Sequence, residues 1–293
     1  MTNITLKYVV KKEQLLREFL LENNISRKTL TRIKFDRDGS IKVNGNEENV
    51  RYTLKENDRV EITLPSEDYS EFVRFINKPV DIVYEDEYFL IVNKGINLPS
   101  IPSRNMEDES LLERVNYYFR EKNINSIPHI VTRLDKNTSG LVLIAKHRHI
   151  HALFSNLSID KYYTALVNGK IKDNAIVEAP IRRVSSSIIE REVGKGGEYA
   201  KTEYWLEEYI SGLDISVVRL KLYTGKTHQI RVHMKYEGHP LLGDKLYGGD
   251  VSFIKRQALN CSNLAFVHPI TREFIDIKVE IPADMKKVIE YSR

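Results

Sequence analysis

The sequence predicts an α+β protein in two parts, a small N-terminal domain and a larger C-terminal domain. After about residue 80, short runs of β-type residues dominate, and helical patterns appear only between some of them. These runs lack the regular βαβ alternation that builds a doubly wound parallel sheet. A chain of 293 residues is also comfortable for two domains and holds enough apolar residues for a sizeable core.

The first 65 residues are predicted to form the small α+β domain. Apolar residues at helical spacing predict a first helix over residues 13–23. Ser26 is placed to cap a second helix that runs to about Lys34. Residues 40–45 alternate like a strand that enters a turn, and residues 55–62 supply another turn and a last strand.

The second helix and its flank carry a local excess of positive charge. The net charge of the chain is only +4, but positions 26–42 contain six Lys or Arg residues and only two Asp residues. Clustered cations release counterions when they meet phosphates, so this patch predicts salt-dependent RNA binding. An unrelated module with a solvated basic face is the alternative. The predicted RNA-binding residues are Arg27, Lys28, Arg32 and Lys34.

A polar and acidic stretch, residues 66–79, is predicted to link the two domains, and the larger domain is expected to span residues 80–293. Helices are predicted in it over residues 111–121 and 149–157, and a further helix is predicted between Thr227 as N-cap and Gly238. Strands are predicted over residues 80–83, 89–92, 141–145, 162–167, 215–222 and 274–279.

The most informative local feature is the run from Val131 to Gly140, a polar turn that leads straight into a predicted buried strand. A turn anchored on a strand suits catalysis, because the rigid element holds the reactive group without burying the backbone of the loop. Asp135 lies in this turn between Arg133 and Lys136, whose charges favour the ionised carboxylate.

The hydroxyl groups of Thr138 and Ser139 could also donate hydrogen bonds to Asp135. An ionised carboxylate held in this way can act as a nucleophile or as an electrostatic partner, but it is a poor general acid. On residue types alone, the more frequent alternative is a salt-bridged aspartate in an ordinary β-turn, because Asp, Asn, Thr, Ser and Gly all favour turns.

Three segments together carry a family resemblance. The run Arg133-Leu134-Asp135, followed by Thr-Ser-Gly and an apolar strand, resembles the signature of the pseudouridine synthases of the RluA type. Residues 161–169, Lys-Tyr-Tyr-Thr-Ala-Leu-Val-Asn-Gly, resemble the second motif of that family. The third motif is matched by residues 224–233, 238–240 and 243–248. The likeness runs from about residue 80 to the C-terminus.

The resemblance implies an enzyme that detaches uracil from its ribose, turns the base in the pocket and rejoins it through carbon, with no cofactor and no metal. It implies a mixed, largely antiparallel and bent sheet with flanking helices and an active cleft across its middle. The implied catalytic residues are Asp135, Tyr163 and Arg231, with Arg231 paired to Asp135 and Tyr163 against the flipped base. The implied substrate-binding residues are Arg133, Thr138, Lys226, His228 and Gln229.

The N-terminal region resembles, more loosely, the S-four-like RNA-binding domain that often precedes this catalytic domain. Two short helices are followed by Val43-Asn44-Gly45 and by an Asp-x-Val-x-Ile strand, but the usual glycine-rich step is replaced by residues 35–39. The catalytic motifs depart from the family at Thr132, where many relatives have histidine, and over residues 93–101, where a proline and a histidine are missing. These departures affect local loop shape and no catalytic position.

Tyr163 and Arg231 could each also be present for a purely structural reason. Taken singly, Tyr163 is more often a half-buried strand residue, and an arginine at position 231 more often lies on a solvated helix face. The closely spaced His147, His149 and His151 suggest a metal site, but no Cys or acidic ligand completes the set, and the basic stretch is expected to meet phosphate or solvent.

Three classes of function follow. The leading one is an isomerase that converts particular uridines in structured RNA, ribosomal rather than transfer RNA, to pseudouridine. A non-catalytic RNA-binding factor with this fold would predict loss of Asp135, Tyr163 or Arg231, and all three are present. A hydrolytic nucleosidase would need a second carboxylate in the cleft, and the nearby Glu198 and Glu203 lie outside the motifs.

Composition agrees with a cytoplasmic enzyme. The single cysteine, Cys261, cannot form an internal disulfide, which favours a reducing compartment. The first ten residues contain no long apolar run, and no stretch approaches the roughly 18 apolar residues of a membrane span. We expect a monomer that acts on structured RNA and does not bind a membrane.

Overall fold

The structure, a computed structural model, describes residues 3–102, 108–172 and 174–291. The outer ends of the two predicted domains, residues 1–2 and 292–293, lie outside the described residues. Residues 103–107 and 173 of the predicted catalytic domain also lie outside them.

The N-terminal region folds into two helices and a small antiparallel sheet with the strand order β1-β6-β3-β4. A second pair of strands, β2 and β5, lies beside it. The elements are β1 (Thr5–Val9), β2 (Gln14–Leu15), α1 (Leu16–Glu22), α2 (Arg27–Phe35), β3 (Ser40–Val43), β4 (Asn46–Glu47), β5 (Thr53–Leu54) and β6 (Arg59–Thr63).

The start of α2 was predicted correctly from the local sequence, but the start of α1 was not. The predicted start of α2 is confirmed, because the Ser26 hydroxyl accepts a hydrogen bond from the backbone N–H of Thr29 at 3.1 Å. The first helix is shorter than predicted and begins at Leu16. Gln14 and Leu15 are instead held extended by pairing with β5, a contact that local periodicity does not report.

A buried carboxylate fixes the segment between the two sheets, residues 64–81, which contains no helix or strand. Glu67 is buried and bonded to Ser126, His129 and Arg148 of the following domain. Burial would raise the pKa of Glu67, but hydrogen bonds from His129 and Arg148 outweigh it and lower the pKa to about 2. The segment is therefore anchored to the larger domain by charge as well as by packing.

The larger domain is built on one long mixed sheet, as predicted. Among the described residues its strand order is β12-β15-β16-β11-β17-β10-β8-β7, with β18 paired to β17 and β9 to β10. Neighbouring strands are antiparallel except β10 and β17, which are parallel. The strands are β7 (Ile82–Glu85), β8 (Phe89–Lys94), β9 (His129–Ile130), β10 (Ser139–Ala145), β11 (Asp160–Asn168), β12 (Ala175–Glu178), β13 (Ile181–Arg183), β14 (Arg191–Val193), β15 (Lys201–Ile210), β16 (Ile215–Leu222), β17 (Leu259–Val267) and β18 (Phe274–Lys278).

Helices pack on this sheet, and the pair β13 and β14 forms a separate hairpin. The helices are α3 (Leu111–Glu121), α4 (Arg148–Phe154), α5 (Gln229–Tyr236) and α6 (Ala283–Glu290). The bounds of α3 and β16 match the predicted ones. In the part of the chain that the structure describes, no helix has both the length and the apolar character to cross a membrane.

The main omission of the sequence prediction is β17, which lies at the middle of the sheet between β10 and β11. Its sequence places Asn260, Ser262 and Asn263 among apolar residues, so neither alternation nor a continuous apolar run appears. These polar side chains form hydrogen bonds with other strands, although the Asn260 amide nitrogen has no partner among the described residues. Asn260, for example, accepts a hydrogen bond from Ser139 at 2.8 Å.

The junction of β10 and β17 requires a glycine. Gly140 has a φ of +107°, and a Cβ there would lie 2.2 Å from the carbonyl oxygen of Cys261 on β17. Both the backbone conformation and the close approach of the two strands exclude any side chain. This contact lies at the end of the turn that carries Asp135.

We predict that Gly140→Ala lowers the free energy of unfolding by on the order of 3 kcal/mol, because strain and overpacking add at this position. Chemical denaturation measures the change. The matched control is Gly212→Ala, where the new methyl group meets open space. It should change stability by less than about 0.5 kcal/mol. Equal stability of the two variants would contradict the proposed constraint at the strand junction.

Candidate active site

A cavity of about 540 Å³ lies where the turn before β10 faces β11 and the start of α5. The three predicted catalytic residues, Asp135, Tyr163 and Arg231, all line it, although they are far apart in the sequence. The predicted substrate-binding residues line the same cavity: Arg133, Thr138, Lys226, His228 and Gln229. Folding therefore brings the three sequence motifs to one place.

The backbone of the Asp135 turn is held at four consecutive carbonyl groups, those of residues 134–137. The carbonyl of residue 134 accepts from the Ser100 hydroxyl at 2.9 Å, and the carbonyl of residue 135 accepts from the Thr138 N–H at 3.0 Å. The carbonyl of residue 136 accepts from the Lys94 ammonium at 3.2 Å. The carbonyl of residue 137 accepts from the Arg256 guanidinium at 3.2 Å. The turn is thus fixed by its own Thr138 and by groups from two other segments, residues 94–100 and Arg256.

Two of these donors are buried cations. Lys94 also donates to the carbonyls of Gly95 and Leu98, at 2.9 and 2.8 Å, and burial lowers its pKa to about 7. Arg256 forms a two-point ion pair with Asp284 of α6, at 2.7 and 2.9 Å. Both side chains therefore serve the loop backbone and not the cavity surface.

The expected local partners of Asp135 are engaged elsewhere. Lys136 forms an ion pair with Asp108 at 2.6 Å. The Ser139 hydroxyl donates to Asn260 at 2.8 Å, and the Thr138 hydroxyl accepts from Gln257 at 3.2 Å. The expectation of hydroxyl donors to Asp135 is wrong, because these two residues begin a buried strand and point toward β17 and its preceding loop.

The partners of the Asp135 carboxylate come instead from the start of α5. Its Oδ2 lies 3.3 Å from Nη1 of Arg231 and 3.7 Å from Nε2 of His228. Arg231 forms its two-point pair with a different carboxylate, Asp244, at 2.6 Å (Nε to Oδ2) and 2.8 Å (Nη2 to Oδ1). The predicted pairing of Arg231 with Asp135 is present, but it consists of a single hydrogen bond, from Nη1 of Arg231.

Arg231 is buried between the two carboxylates and does not lie on a solvated helix face. Burial lowers the pKa of its guanidinium, but the hydrogen bonds and charge of Asp244, with the charge of Asp135, outweigh burial and raise it. The guanidinium therefore stays positive. The pair with Asp244 fixes its plane and directs the remaining N–H groups at Asp135.

The helix that carries Arg231 begins differently from the prediction. His228, and not Thr227, is the N-cap of α5, and it adopts a left-handed conformation with φ 58° and ψ 19°. This conformation is unusual for a residue with a side chain. It places the imidazole beside Asp135, which a regular helical start at Thr227 would not do.

A hydrogen-bond chain assigns the proton of neutral His228. The Tyr247 hydroxyl accepts from the backbone N–H of Arg191 at 3.0 Å and lies 2.9 Å from Nδ1 of His228. If Nδ1 accepts the Tyr247 proton, the imidazole proton of the neutral ring lies on Nε2, on the side of Asp135. Burial lowers the pKa of His228 against the attraction of Asp135, which favours this neutral form.

Tyr163 lies on β11 and is buried at the base of the cavity. Burial raises the pKa of its hydroxyl well above the usual value, and the neighbouring Cys261 and Asp135 act in the same direction. The side chain is therefore a neutral phenol at physiological pH. It can pack against a base and donate a hydrogen bond, but it is not a phenolate.

The remaining predicted substrate-binding residues differ in how free they are. Arg133 is exposed at the cavity and has no hydrogen-bond or ion-pair partner among the described residues. The Lys226 ammonium is paired with Glu198. Gln229 is buried, and its amide is fully used within the protein: the oxygen accepts from Thr224 and Lys226, and the nitrogen donates to Lys201 and Thr202. No hydrogen-bonding position of this amide is left for RNA.

Two members of the histidine cluster do not meet phosphate or solvent, contrary to expectation, whereas Arg148 is exposed and His151 is half-buried. His147 and His149 are both buried. His147 bonds to the carbonyl of Pro65 at 3.1 Å and accepts from the backbone N–H of His149 at 3.0 Å. Burial lowers the pKa of both imidazoles, which therefore stay neutral near pH 7. The His147 side chain thereby attaches the start of α4 to the segment that enters the domain.

The predicted RNA-binding residues of the N-terminal region lie on α2, away from the cavity. Arg27, Lys28 and Lys34 are exposed, and Arg32 is half-buried. None of the four has an ion-pair partner in the described part of the chain. Their charges are therefore available to a polyanion.

The sequence reasoning missed the residues that support the site, namely Lys94, Ser100, Asp244 and Arg256. Asp244 lies inside the third motif, next to Gly243, so its position in a glycine turn was a usable signal. Lys94 and Ser100 lie in the segment where the chain departs from its relatives. For Arg256 no local signal exists, because its partners, Asp284 and the carbonyl of Asn137, are distant in the sequence.

Comparison with known proteins places this geometry in a family. A sequence model described as RNA pseudouridylate synthase matches residues 75–236. An uncharacterized RNA pseudouridine synthase of Bacillus subtilis, YjbO, is 40% identical over 280 residues, which are 94% of this chain and 98% of the relative. The ribosomal large subunit pseudouridine synthase D of Zymomonas mobilis is 35% identical over 227 residues, 71% of each chain.

Solved structures share the fold. Human RNA pseudouridylate synthase domain containing 1 superposes with a TM-score of 0.56 at 24% identity, over 73% of this chain and 94% of that one. The human domain-containing protein 4 gives the same TM-score at 19% identity, over 72% and 92%. The identities to the bacterial relatives and the match of the family over more than half of the chain lead to one conclusion: this chain belongs to the RNA pseudouridylate synthase family, whose members are isomerases of RNA.

Proposed function

We propose that Asp135 is the catalytic carboxylate with which this RNA pseudouridine synthase isomerises specific uridines of structured RNA, and that this RNA is ribosomal. The observation that carries the proposal is the composition of the cavity. Among the described residues that line it, Asp135 is the one acidic side chain. Isomerisation adds no water, so a single aspartate suffices, whereas a hydrolytic glycosidase needs two carboxylates.

Arg231 and His228 are proposed to keep Asp135 ionised and aimed at the nucleotide. The fixed guanidinium attracts the carboxylate, and Nε2 of His228 lies 3.7 Å from the same oxygen. In this arrangement Asp135 acts on the target nucleotide either as a nucleophile or as a base. The geometry of the cavity is compatible with both roles. Preorganised charge of this kind costs no reorganisation during the reaction.

Tyr163 is proposed to pack against the flipped uracil. The base must leave its stack to reach the cavity, at a cost of a few kcal/mol that is smaller in a loop. Because the pKa of Tyr163 is raised by burial, its neutral hydroxyl acts as a packing surface and hydrogen-bond donor, and direct proton abstraction by a phenolate is not part of the proposal. Arg133, exposed and unpaired among the described residues, is proposed to contact the substrate phosphates.

Gln229 is proposed as a positioning residue. Its amide joins the loop before α5 to β15, through Lys226 on one side and Thr202 on the other. This contact holds Lys226 and His228 at the cavity. Thr138 is proposed to line the floor beside Asp135.

Residues 1–65 are proposed to form an S-four-like RNA-binding module, joined by residues 66–79 to a catalytic domain of residues 80–293. The separate N-terminal sheet, whose strands lie between Thr5 and Thr63, supports this division. The unpaired cations of α2 support RNA binding. We propose that the enzyme works as a monomer, because the described cavity takes every proposed catalytic residue from one chain.

Ribosomal RNA is proposed as the target because relatives at 34–35% identity carry the name ribosomal large subunit pseudouridine synthase D. The hydrolytic alternative has less support. Glu198 is largely exposed and paired with Lys226, and Glu203 accepts a hydrogen bond from Tyr223 at 2.6 Å. Neither carboxylate lines the cavity.

We predict that deleting the gene removes pseudouridine from at least one position of ribosomal RNA, and that the wild-type gene restores it while Asp135→Asn does not. The asparagine keeps the shape of the side chain and removes its charge and basicity. Pseudouridine mapping of ribosomal and transfer RNA measures the outcome. Glu203→Gln, the matched control on a carboxylate outside the cavity, should restore the modification. Full restoration by Asp135→Asn would refute the role of Asp135, and loss confined to transfer RNA would refute the target.

Arg231→Lys is expected to lower kcat at least roughly 10-fold, because one ammonium cannot hold two points of Asp244 and also reach Asp135. KM for RNA should change little. Single-turnover and steady-state kinetics separate the two. The control is Arg219→Lys on β16, an exposed position outside the cavity. A wild-type kcat for Arg231→Lys would rule out the pairing as the basis of activity.

The double substitution Lys28→Gln and Lys34→Gln should weaken RNA binding more at low salt than at high salt. Removing two phosphate contacts should lower the slope of log K against log salt by about 1.5. Filter binding to ribosomal RNA over a salt series measures the slope. The control, Lys11→Gln with Lys55→Gln, removes two exposed cations of the same region outside α2. Equal losses at all salt concentrations would argue against phosphate binding by α2.

A further inference from the structure

A second cavity of about 510 Å³ lies beside the active cavity. The β13–β14 hairpin and residues 196–198 form one wall of it, and the loop of residues 225–227 forms the other. The same loop also lines the active cavity. The two cavities thus lie on either side of one loop, and we call the second one the hairpin groove.

The hairpin groove carries an excess of positive charge. The cations that line it are Arg182, Arg183, Arg191 and Lys226, and Glu198 is the one acid among its described lining residues. Two of these cations are neutralised within the protein. Arg182 pairs with Glu192 at 2.8 Å, and Lys226 pairs with Glu198.

The other two cations, Arg183 and Arg191, have no carboxylate partner in the described ranges. Backbone carbonyls of the hairpin loop hold them instead. Nε of Arg183 donates to the carbonyl of Ser187 at 3.0 Å, and Nη1 of Arg191 donates to the carbonyls of Ile189 and Glu190, both at 3.0 Å. Carbonyl acceptors orient a guanidinium without cancelling its charge.

Each guanidinium keeps unused N–H groups. Arginine has five donors, and the contacts of Arg183 use only Nε, while those of Arg191 use only Nη1. A planar cation that is positioned in advance, charged and incompletely bonded matches the geometry of a phosphate group. The groove therefore has the chemistry of a phosphate-binding surface.

The groove is also fixed relative to the reacting carboxylate. The backbone N–H of Arg191 donates to Tyr247, whose hydroxyl bonds to His228, which faces Asp135. This chain of contacts ties β14 to the active cavity at a constant spacing.

We propose that the hairpin groove binds backbone phosphates of the RNA strand that flanks the uridine held in the active cavity, through Arg183 and Arg191. The proposal rests on the proposed RNA isomerase function and adds the path of the strand next to the target. RNA is favoured over an acidic protein segment because the groove adjoins the cavity that must receive a nucleotide, so one polymer reaches both. The contact is independent of base sequence, since it involves phosphates only.

The test compares wild type with a full-chain double variant that carries both Arg183→Gln and Arg191→Gln. The probe is single-stranded oligouridine, bound over a series of salt concentrations. Loss of two phosphate contacts should lower the slope of log K against log salt by about 1.4 and weaken binding at low salt. With unmodified RNA from a strain that lacks the gene, kcat at saturating RNA should stay within about twofold of wild type. If the double variant binds oligouridine with the wild-type slope and affinity, the proposal is wrong. This holds also if the variant has lost binding to an acidic protein, because the groove would then serve that protein and not RNA.

Two further variants keep the test decisive. Arg183→Lys with Arg191→Lys retains both charges and should keep most of the salt slope, so a slope as low as that of the glutamine variant would point to a misfolded hairpin and overturn the charge argument. Lys172→Gln with Lys287→Gln removes two exposed cations that line neither cavity and should leave the slope at its wild-type value. Asp135→Asn should bind oligouridine with the full slope. An error in the proposed role of the groove therefore shows in oligouridine binding. An error in the proposed isomerase function shows in turnover.

Discussion

The position of Asp135 depends on the buried donors that hold the four carbonyl groups of its turn. Lys94 and Ser100 reach the turn from one segment and Arg256 from another, and each would lose a hydrogen bond if the turn moved. Removing a partner from a buried polar group costs about 1–3 kcal/mol, so several such bonds allow the turn few alternative conformations. The backbone is held from within the protein, which leaves the carboxylate free to face the cavity.

The electrostatics of the site follow from a second shared group, the guanidinium of Arg231. It lies between Asp244, which fixes its orientation, and Asp135, which it attracts. Two carboxylates around one buried cation are an asymmetric arrangement, because Asp244 receives two hydrogen bonds and is fully buried, while Asp135 receives one and stays accessible. The accessible carboxylate is therefore the one that we propose to react. The imidazole of His228 lies on the same side, placed there by a left-handed backbone conformation.

Binding and chemistry are placed on different parts of the molecule. The proposed chemistry lies at the centre of the sheet, where β10, β11 and β17 meet. Besides Arg133 at the cavity, cations without a carboxylate partner among the described residues lie on α2 and along the hairpin groove, where a long polyanion can reach them. Recognition of RNA by shape needs a distributed set of contacts of this kind, whereas isomerisation of one base needs a single rigid cavity.

The sequence by itself determined the residues that meet in the cavity, because the three motifs are local strings whose residue types identify the family. It also determined α2, whose cap and charge are adjacent in the chain, and six of the twelve strands that the structure describes in the larger domain. The tertiary structure decided which groups contact Asp135. The neighbours Lys136, Thr138 and Ser139 find other partners, and Arg231 and His228 replace them, because a turn that enters a buried strand directs its side chains to the next strand. It likewise decided the central place of β17, whose polar residues bond to other strands, as Asn260 does to Ser139 and Asn263 to Ile277.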